Sequence, residues 1–320
     1  MCTAFTYNNG NHYFGRNLDL EYCYQEAVTI TPRNYPFQFR FEQRPRKQYA
    51  MIGMATVAEG YPLYYDATNE AGLSAAGLNF PGYAAYFPEM DGKKNIAPFE
   101  LIPWVLSKCK TAKEAENLLL NTNITNVAFS SSYSLTPLHW LISDRDRSIT
   151  VEQTKEGLSI YNNHLGVLTN NPPFNFHLCN LQNYANLKAS EPFGNVFGMS
   201  PYSRGLGSFG LPGDLTSASR FVRAVFAKFN AVSDGSDANG ISQFFHILSS
   251  VAQIEGSVKA EKGFVKTVYS SCCNTEKGIY YYTTYGNRQI TGISMHQADL
   301  SGKELLVFPL VKGQQINMQN

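Results

Sequence analysis

Residues 3–7 and 12–17 are two short runs of β-branched and aromatic side chains, separated by Asn8-Asn9-Gly10-Asn11. Asn-Gly supplies the positive backbone torsions that a tight turn needs, so the chain is predicted to open as a β-hairpin. That hairpin constrains everything after it: the first residues lie on a sheet edge, and the apolar faces of the sheet must be covered. Similar runs recur at 51–57, 138–143, 149–153, 158–161 and 167–169, with Asp144-Arg145-Asp146-Arg147 as a charged turn between two of them. Another set follows at 265–271, 278–284, 289–294 and 305–308.

Helical patterns occupy the middle. Residues 99–108 form an apolar helical segment with Pro98 near its start, and Thr111-Ala112-Lys113-Glu114 reads as a capping box opening a helix over 112–120. Thr216 is placed to cap a helix through 219–229, where Phe221, Val222, Val225 and Phe229 share a face. A further helix over 241–248 follows a loop at 233–240. Strands, then helices, then strands suggest two sheets stacked between helical layers. Periodicity leaves both α/β and α+β open, because it does not say which strands pair.

With 320 residues and 43% hydrophobic side chains, the chain can bury a large core as one big domain or two ordinary ones. Its 26 basic and 25 acidic side chains give a formal net charge of +1, and the basic cluster at 40–47 is local and interrupted by Glu42. Nucleic acid and anionic membranes are therefore poor partners. No signal-peptide pattern and no apolar run near about 18 residues occurs, so stable membrane insertion is not expected and a cytoplasmic location is. Cysteines at 2, 23, 109, 179, 272 and 273 form no disulfide framework, and the adjacent Cys272-Cys273 pair lacks a CxxC or histidine partner. The six histidines lack metal-ligand spacing, and Gly205-Leu206-Gly207-Ser208-Phe209-Gly210 lacks the full dinucleotide pattern, so neither a metal nor a cofactor is expected.

Cys2 stands behind the initiator methionine. It is small enough for Met1 to be removed, which would leave a thiol and an α-amine on one residue. Their ordinary pKa values, about 8.5 and about 8, let a neutral amine and an available sulfur coexist near neutral pH.

Further along stand Phe14-Gly15-Arg16-Asn17-Leu18-Asp19, Asn69-Glu70-Ala71-Gly72-Leu73, Ala76-Gly77-Leu78-Asn79-Phe80, Leu138-His139-Trp140, Val151-Glu152-Gln153, Leu168-Thr169-Asn170-Asn171-Pro172, Leu211-Pro212-Gly213-Asp214 and Ser219-Arg220-Phe221. With Met1-Cys2-Thr3, these pieces in this order resemble the choloylglycine hydrolase family of N-terminal-nucleophile (Ntn) amidohydrolases, which contains conjugated bile salt hydrolases and penicillin V acylases. The resemblance spans nearly the whole chain. It implies one α+β domain over residues 1–320, a four-layer αββα Ntn-hydrolase fold with two stacked, mainly antiparallel sheets, a mature chain starting at Cys2, and a homotetramer. It also implies Cys2 as nucleophile, Arg16 and Asp19 as its close partners, Asn79 and Asn170 as oxyanion-site residues, and Arg220 as a supporting charge.

That set is chemically coherent. Amide hydrolysis needs attack on a poor electrophile, stabilisation of oxyanion charge and protonation of the leaving amine. The Cys2 sulfur attacks while its α-amine carries the proton, Asp19 orients the amine, and Arg16 favours thiolate character and braces Asp19. Arg16 also offsets the rise that Asp19 alone would impose on the amine pKa. Taken singly, an Arg-Asp pair is more often a surface pair, the asparagines are turn residues and Arg220 is a helix-surface charge. His139 beside Trp140 reads as a buried structural residue.

The resemblance implies hydrolysis of glycine- or taurine-conjugated bile salts through an acyl-thioester, with hydrolysis of penicillin V or another N-acyl amide as the alternative. Penicillin acylases often resemble this pattern with Tyr where Asn79 stands. A steroid needs a broad apolar slot, for which Leu18, Leu20, Tyr22 and Tyr24, the expected loop at 62–65 with Tyr65, and the loop at 129–135 with Phe129 and Leu135 are candidates. A binding protein using the same aromatic pocket without Cys2 chemistry is the reading of a different class.

Overall fold

Strand Cys2–Asn9 pairs antiparallel with Asn11–Leu20, and Asn9 faces Asn11 across Gly10, whose φ is +70°. The hairpin expected from Asn-Gly therefore forms. The computed structural model describes residues 1–192, 198 and 202–320.

Among the described residues, two antiparallel sheets carry the fold. The first runs Val167–Leu168, Cys2–Asn9, Asn11–Leu20, Lys266–Asn274, Ile279–Thr284 and Asn287–Ser294. The second runs Gly157–Asn162, Ser148–Thr154, Leu138–Ser143, Ser74–Asn79, Tyr61–Asn69, Met51–Ala58, Ala27–Thr31 and Leu306–Pro309. The two pack face to face: Cys2, Ala4 and Phe14 of the first share a buried apolar cluster with Ile52, Met54, Ala76 and Leu78 of the second.

Helices α1 (Leu101–Lys108) and α2 (Ala112–Leu119) cover the outer face of the second sheet, where Trp104 and Ala115 pack with Ala67, Ala75 and Ile142. After α3 (Phe174–Leu181), helices α4 (Ser217–Asn230) and α5 (Asp237–Ser249) cover the first sheet. Phe5 stacks on Phe244 of α5 at 4.3 Å between ring centroids. The result is the four-layer αββα arrangement of an α+β protein. Both faces of the hairpin are covered, which explains why its polar residues Thr3, Arg16, Asn17 and Asp19 are as buried as its apolar ones.

Several local expectations need correction. Residues 62–65 lie inside strand Tyr61–Asn69 instead of a loop, and Gly77-Leu78-Asn79 ends strand Ser74–Asn79 instead of turning. Strand Ala27–Thr31, whose Val28-Thr29-Ile30-Thr31 run is β-branched throughout, and helix α3 were not among the expected elements. Helix α4 starts two residues before 219, with the Thr216 hydroxyl accepting from Ser219 N–H, and α5 begins at Asp237 inside the expected loop because Ser236 caps it. At α2 the Thr111 hydroxyl accepts from Glu114 N–H as predicted, but the Glu114 carboxylate takes the Lys110 N–H one residue further out.

Candidate active site

The hairpin register puts Cys2 opposite Leu18. On the other side Ala4 faces Leu168, so the same antiparallel register carried two residues further brings Asn170 level with Cys2. That is where the contact occurs: the Cys2 N–H donates to Asn170 Oδ1 at 2.8 Å. Met1 prolongs the hairpin ladder, its amine donating to the Asp19 carbonyl at 2.7 Å while the Asp19 N–H donates to Met1 O at 3.0 Å. Cys2 is only 2% exposed.

Asn170 is held through every polar atom it has. Its Nδ2 donates to the Asn79 carbonyl at 2.7 Å, and Oδ1 accepts from Arg220 Nη2 at 2.7 Å as well as from Cys2. Its N–H donates to Ser217 Oγ at 2.8 Å. Arg220 rises from the first turns of α4, where the Thr216 cap sets the helix phase, and points into the first sheet. Its Nη1 donates to the Cys2 carbonyl and to Thr3 Oγ1, and its Nε to the Leu215 carbonyl. A planar fork suits this task because its arms reach acceptors on separate segments of the chain at once. Burial pulls the Arg220 pKa below its ordinary value, opposed by Asp19 and Cys2.

Arg16 and Asp19 both adjoin Cys2, yet they do not touch each other. They are three residues apart on one strand, and side chains alternate faces with period two. Arg16 points between the sheets, where Nη1 donates to the carbonyls of Tyr65 at 3.0 Å and Gly77 at 2.5 Å. Asp19 lies across from Thr267, whose hydroxyl donates to Oδ1 at 2.7 Å, and its Oδ2 is buried without a partner. The expected guanidinium brace from Arg16 to Asp19 is thus not formed. Burial raises the Asp19 pKa, opposed first by Arg220, then by the chain's terminal amine, the Thr267 hydroxyl and Arg16. For Arg16, burial works against the charge, but Cys2, Tyr269, Asp66 and Asp19 outweigh it and move the pKa upward.

Asp66 was not legible as part of this site. It lies on Tyr61–Asn69 and accepts from the hydroxyls of Tyr269 at 2.7 Å, Tyr280 at 2.7 Å and Ser271 at 3.1 Å. Its partners come from strands about 200 residues later in the chain, so no local pattern could have found it.

Cys2, Arg16 and Asn79 line a cleft of about 390 Å³. All seven residues expected to form a substrate slot, Leu18, Leu20, Tyr22, Tyr24, Tyr65, Phe129 and Leu135, line it too. Leu63, Phe99, Val127 and Tyr133 complete the apolar wall. Asp19, Asn170 and Arg220 stand behind Cys2 and are not part of that wall. Phe99 escaped notice because its position just before α1 reads as ordinary helix packing. A thiol at the border between an apolar cleft and a fully buried polar cluster can attack a bound carbonyl while that cluster handles charge.

The sequence pattern of the linear amide C–N hydrolases, choloylglycine hydrolase family, matches residues 2–308. A bile salt hydrolase/transferase of Lactiplantibacillus plantarum is 50% identical over 314 residues, covering 97% of each chain. The crystal structure of a variant of the conjugated bile acid hydrolase from Clostridium perfringens superposes with a TM-score of 0.92, at 39% identity and over 100% of both chains. Penicillin V acylase from Agrobacterium tumefaciens shares the fold, with a TM-score of 0.74 at 21% identity, over 95% of this chain and 90% of that one.

Proposed function

The chain belongs to the choloylglycine hydrolase family of linear amide C–N hydrolases, and from that premise we propose that it hydrolyses the amide bond of glycine- or taurine-conjugated bile salts. The products are free bile acid and the amino acid. The observation that carries this reading is Cys2 itself, which lines an apolar cleft of about 390 Å³ while its peptide atoms are gripped by Asn170 and Arg220. Small-molecule sites have volumes of this order, about 300 to 1,000 Å³, and a steroid suits apolar walls.

The reaction begins once Met1 is removed. The nitrogen of Cys2 then changes from a non-basic peptide N–H to an amine. Asn170 Oδ1 accepts one of its hydrogens, and Asp19 offers its unpartnered Oδ2 as a second acceptor. The sulfur attacks the substrate carbonyl carbon as its proton passes to the α-amine. Arg16 keeps positive charge on the inter-sheet side of the thiolate. The carbonyl π pair moves onto oxygen, where one Nδ2 hydrogen of Asn170 meets it, the other being engaged by the Asn79 carbonyl. The Asn79 N–H is the second donor. A donor of this kind is worth about 3 kcal/mol in the transition state.

Collapse of the tetrahedral intermediate breaks the C–N bond, and the α-ammonium returns its proton to the departing glycine or taurine nitrogen. The acyl group remains as a thioester on Cys2. Water then attacks with the α-amine as base, releasing the bile acid and restoring the thiol. Arg220 holds Cys2, Thr3 and Asn170 in one frame throughout. The same reading takes the working enzyme to be cytoplasmic and a homotetramer; light scattering on the purified protein tests the assembly, and cell fractionation the location.

Intact-mass analysis during turnover of glycocholate and taurocholate tests the central claim. The expected result is an acyl adduct on protein that has lost Met1, no adduct on protein that retains it, and penicillin V turnover at least about tenfold slower. Turnover that survives Cys2→Ala, or penicillin V cleaved as fast as bile conjugates, refutes the reading.

A further inference from the structure

Strand Val167–Leu168 ends just before Asn170, so the Thr169 and Asn170 carbonyls leave the ladder inside the protein and need other donors. Two buried imidazoles lie on them in succession. His139 Nε2 is 3.1 Å from the Thr169 carbonyl, and His177 Nε2 is 2.9 Å from the Asn170 carbonyl. Neither histidine lines the substrate cleft.

The first ring is locked from both ends. A carbonyl only accepts, so His139 Nε2 carries a hydrogen. His139 Nδ1 lies 2.9 Å from Glu152 Oε1, and both carboxylate oxygens of Glu152 accept the Phe174 N–H at 3.1 and 3.2 Å. Both ring nitrogens are thus engaged, and Phe80 stacks on the ring face at 4.3 Å and 7°. His177 is fixed by stacking on Phe221 of α4 at 4.9 Å and 20°. Ser217 Oγ takes the Asn170 N–H and also contacts Thr169 Oγ1 at 2.9 Å.

We propose that His139, clamped by Glu152, together with His177 and Ser217, are positioning residues that hold the Asn170 peptide so that its carboxamide faces Cys2. The role rests on the hydrolase reading above, since it concerns the placement of the oxyanion donor. None of these groups touches substrate. Their effect falls on the step that needs Asn170 and spares the thiol itself.

His177→Phe and Ser217→Ala, prepared without Met1, test this. Two rates are measured: glycocholate turnover, and alkylation of Cys2 by iodoacetamide followed by intact mass, which needs the thiol but no oxyanion donor. Expected is a roughly 10- to 100-fold fall in kcat, with KM within about threefold and the alkylation rate within about twofold of wild type. Glu152→Gln retains an acceptor for the Phe174 N–H and a donor for His139 Nδ1, so its kcat stays within about fivefold. Ser217 is half-buried at the start of α4, so Ser217→Ala decides the matter if His177→Phe does not fold. Unchanged kcat in both His177→Phe and Ser217→Ala, or alkylation falling in step with kcat in them, overturns the proposal. Absence of bile-conjugate turnover in the wild type sinks the hydrolase reading instead, and the two failures are thereby distinguished.

Discussion

Arg220→Lys is the substitution whose consequences can be worked out most fully. The guanidinium serves four acceptors with three nitrogens: Nη1 reaches the Cys2 carbonyl and Thr3 Oγ1, Nη2 reaches Asn170 Oδ1, and Nε reaches the Leu215 carbonyl. A lysine ammonium is a single point with three hydrogens. It can keep the two acceptors that Nη1 serves, but it cannot also reach those of Nη2 and Nε. Two hydrogen bonds from a charged donor are lost in a site with no exposure, at about 1.5 to 3 kcal/mol each. Asn170 Oδ1 still receives the Cys2 N–H and the Leu215 carbonyl lies nearer the surface, so the net loss of stability is about 2 to 4 kcal/mol.

The activity should fall further than the stability suggests. With Nη2 gone, the Asn170 carboxamide is free to rotate about its remaining contacts. A misplacement of about 1 Å costs about 100-fold in kcat, and complete loss of the donor sets a ceiling of about 1,000-fold. Urea unfolding at pH 7 and steady-state kinetics on glycocholate measure the two effects separately. An unfolding free energy within about 1 kcal/mol of wild type, together with kcat within about threefold, would falsify the assignment of Arg220 as the frame of the site.

Two further predictions concern stability. Burial pushes the pKa of both His12 and His177 down to about 4 from an ordinary 6.5, so the unfolded chain takes up protons there that the folded chain refuses. Their contribution is whole above pH 6.5 and is lost as pH falls toward 4, roughly 3 kcal/mol for each histidine. Glu100, which burial raises to about 7, gives a slope of opposite sign in the same window, so the histidine contribution is read as a difference: the gap in unfolding free energy between wild type and His12→Asn should change by roughly 2 to 3 kcal/mol between pH 7 and 4.5, and a constant gap counts against the argument. Gly15→Ala should cost roughly 4 kcal/mol or more, since a Cβ there would sit 1.9 Å from the Ser271 carbonyl oxygen and 2.9 Å from Cys272 Cα. Backbone cannot yield as a side chain does, so thermal unfolding and turnover should both collapse, and a variant of near-native midpoint would show that the two strands can separate.

Much of this protein was determined locally by its sequence. Asn-Gly between two runs of aromatic or β-branched residues made the first hairpin and thereby put Cys2 near Arg16 and Asp19, but the expected sheet edge is not there, because Val167–Leu168 pairs outside Cys2–Asn9. Thr216 and Thr111 set the starts of two helices because a hydroxyl before an amphipathic run satisfies orphan amides in any context. The order of the family motifs pointed to the layers, and the apolar residues after the hairpin pointed to the cleft. That Arg16 and Asp19 part company was legible too, since period-two alternation puts residues three apart on opposite faces of one strand, but the expected brace between them ignored it. Local pattern could not tell strand from loop at 62–65 and 77–79, where short apolar runs with Gly or Pro read either way until a neighbouring strand claims their hydrogen bonds.

Only the tertiary structure decided how the buried charges and hydrogen bonds are satisfied. Arg220 on α4 reaches Cys2 and Asn170 across 218 and 50 residues of chain. Asp66 takes its three hydroxyls from the strands at 266–274 and 279–284, and His139 finds Thr169 and Glu152. A buried polar atom must have a partner, but the requirement does not say which one. That choice comes from strand order and register, which are set by how two sheets and four covering helices fill one interior, and no window of sequence contains that information.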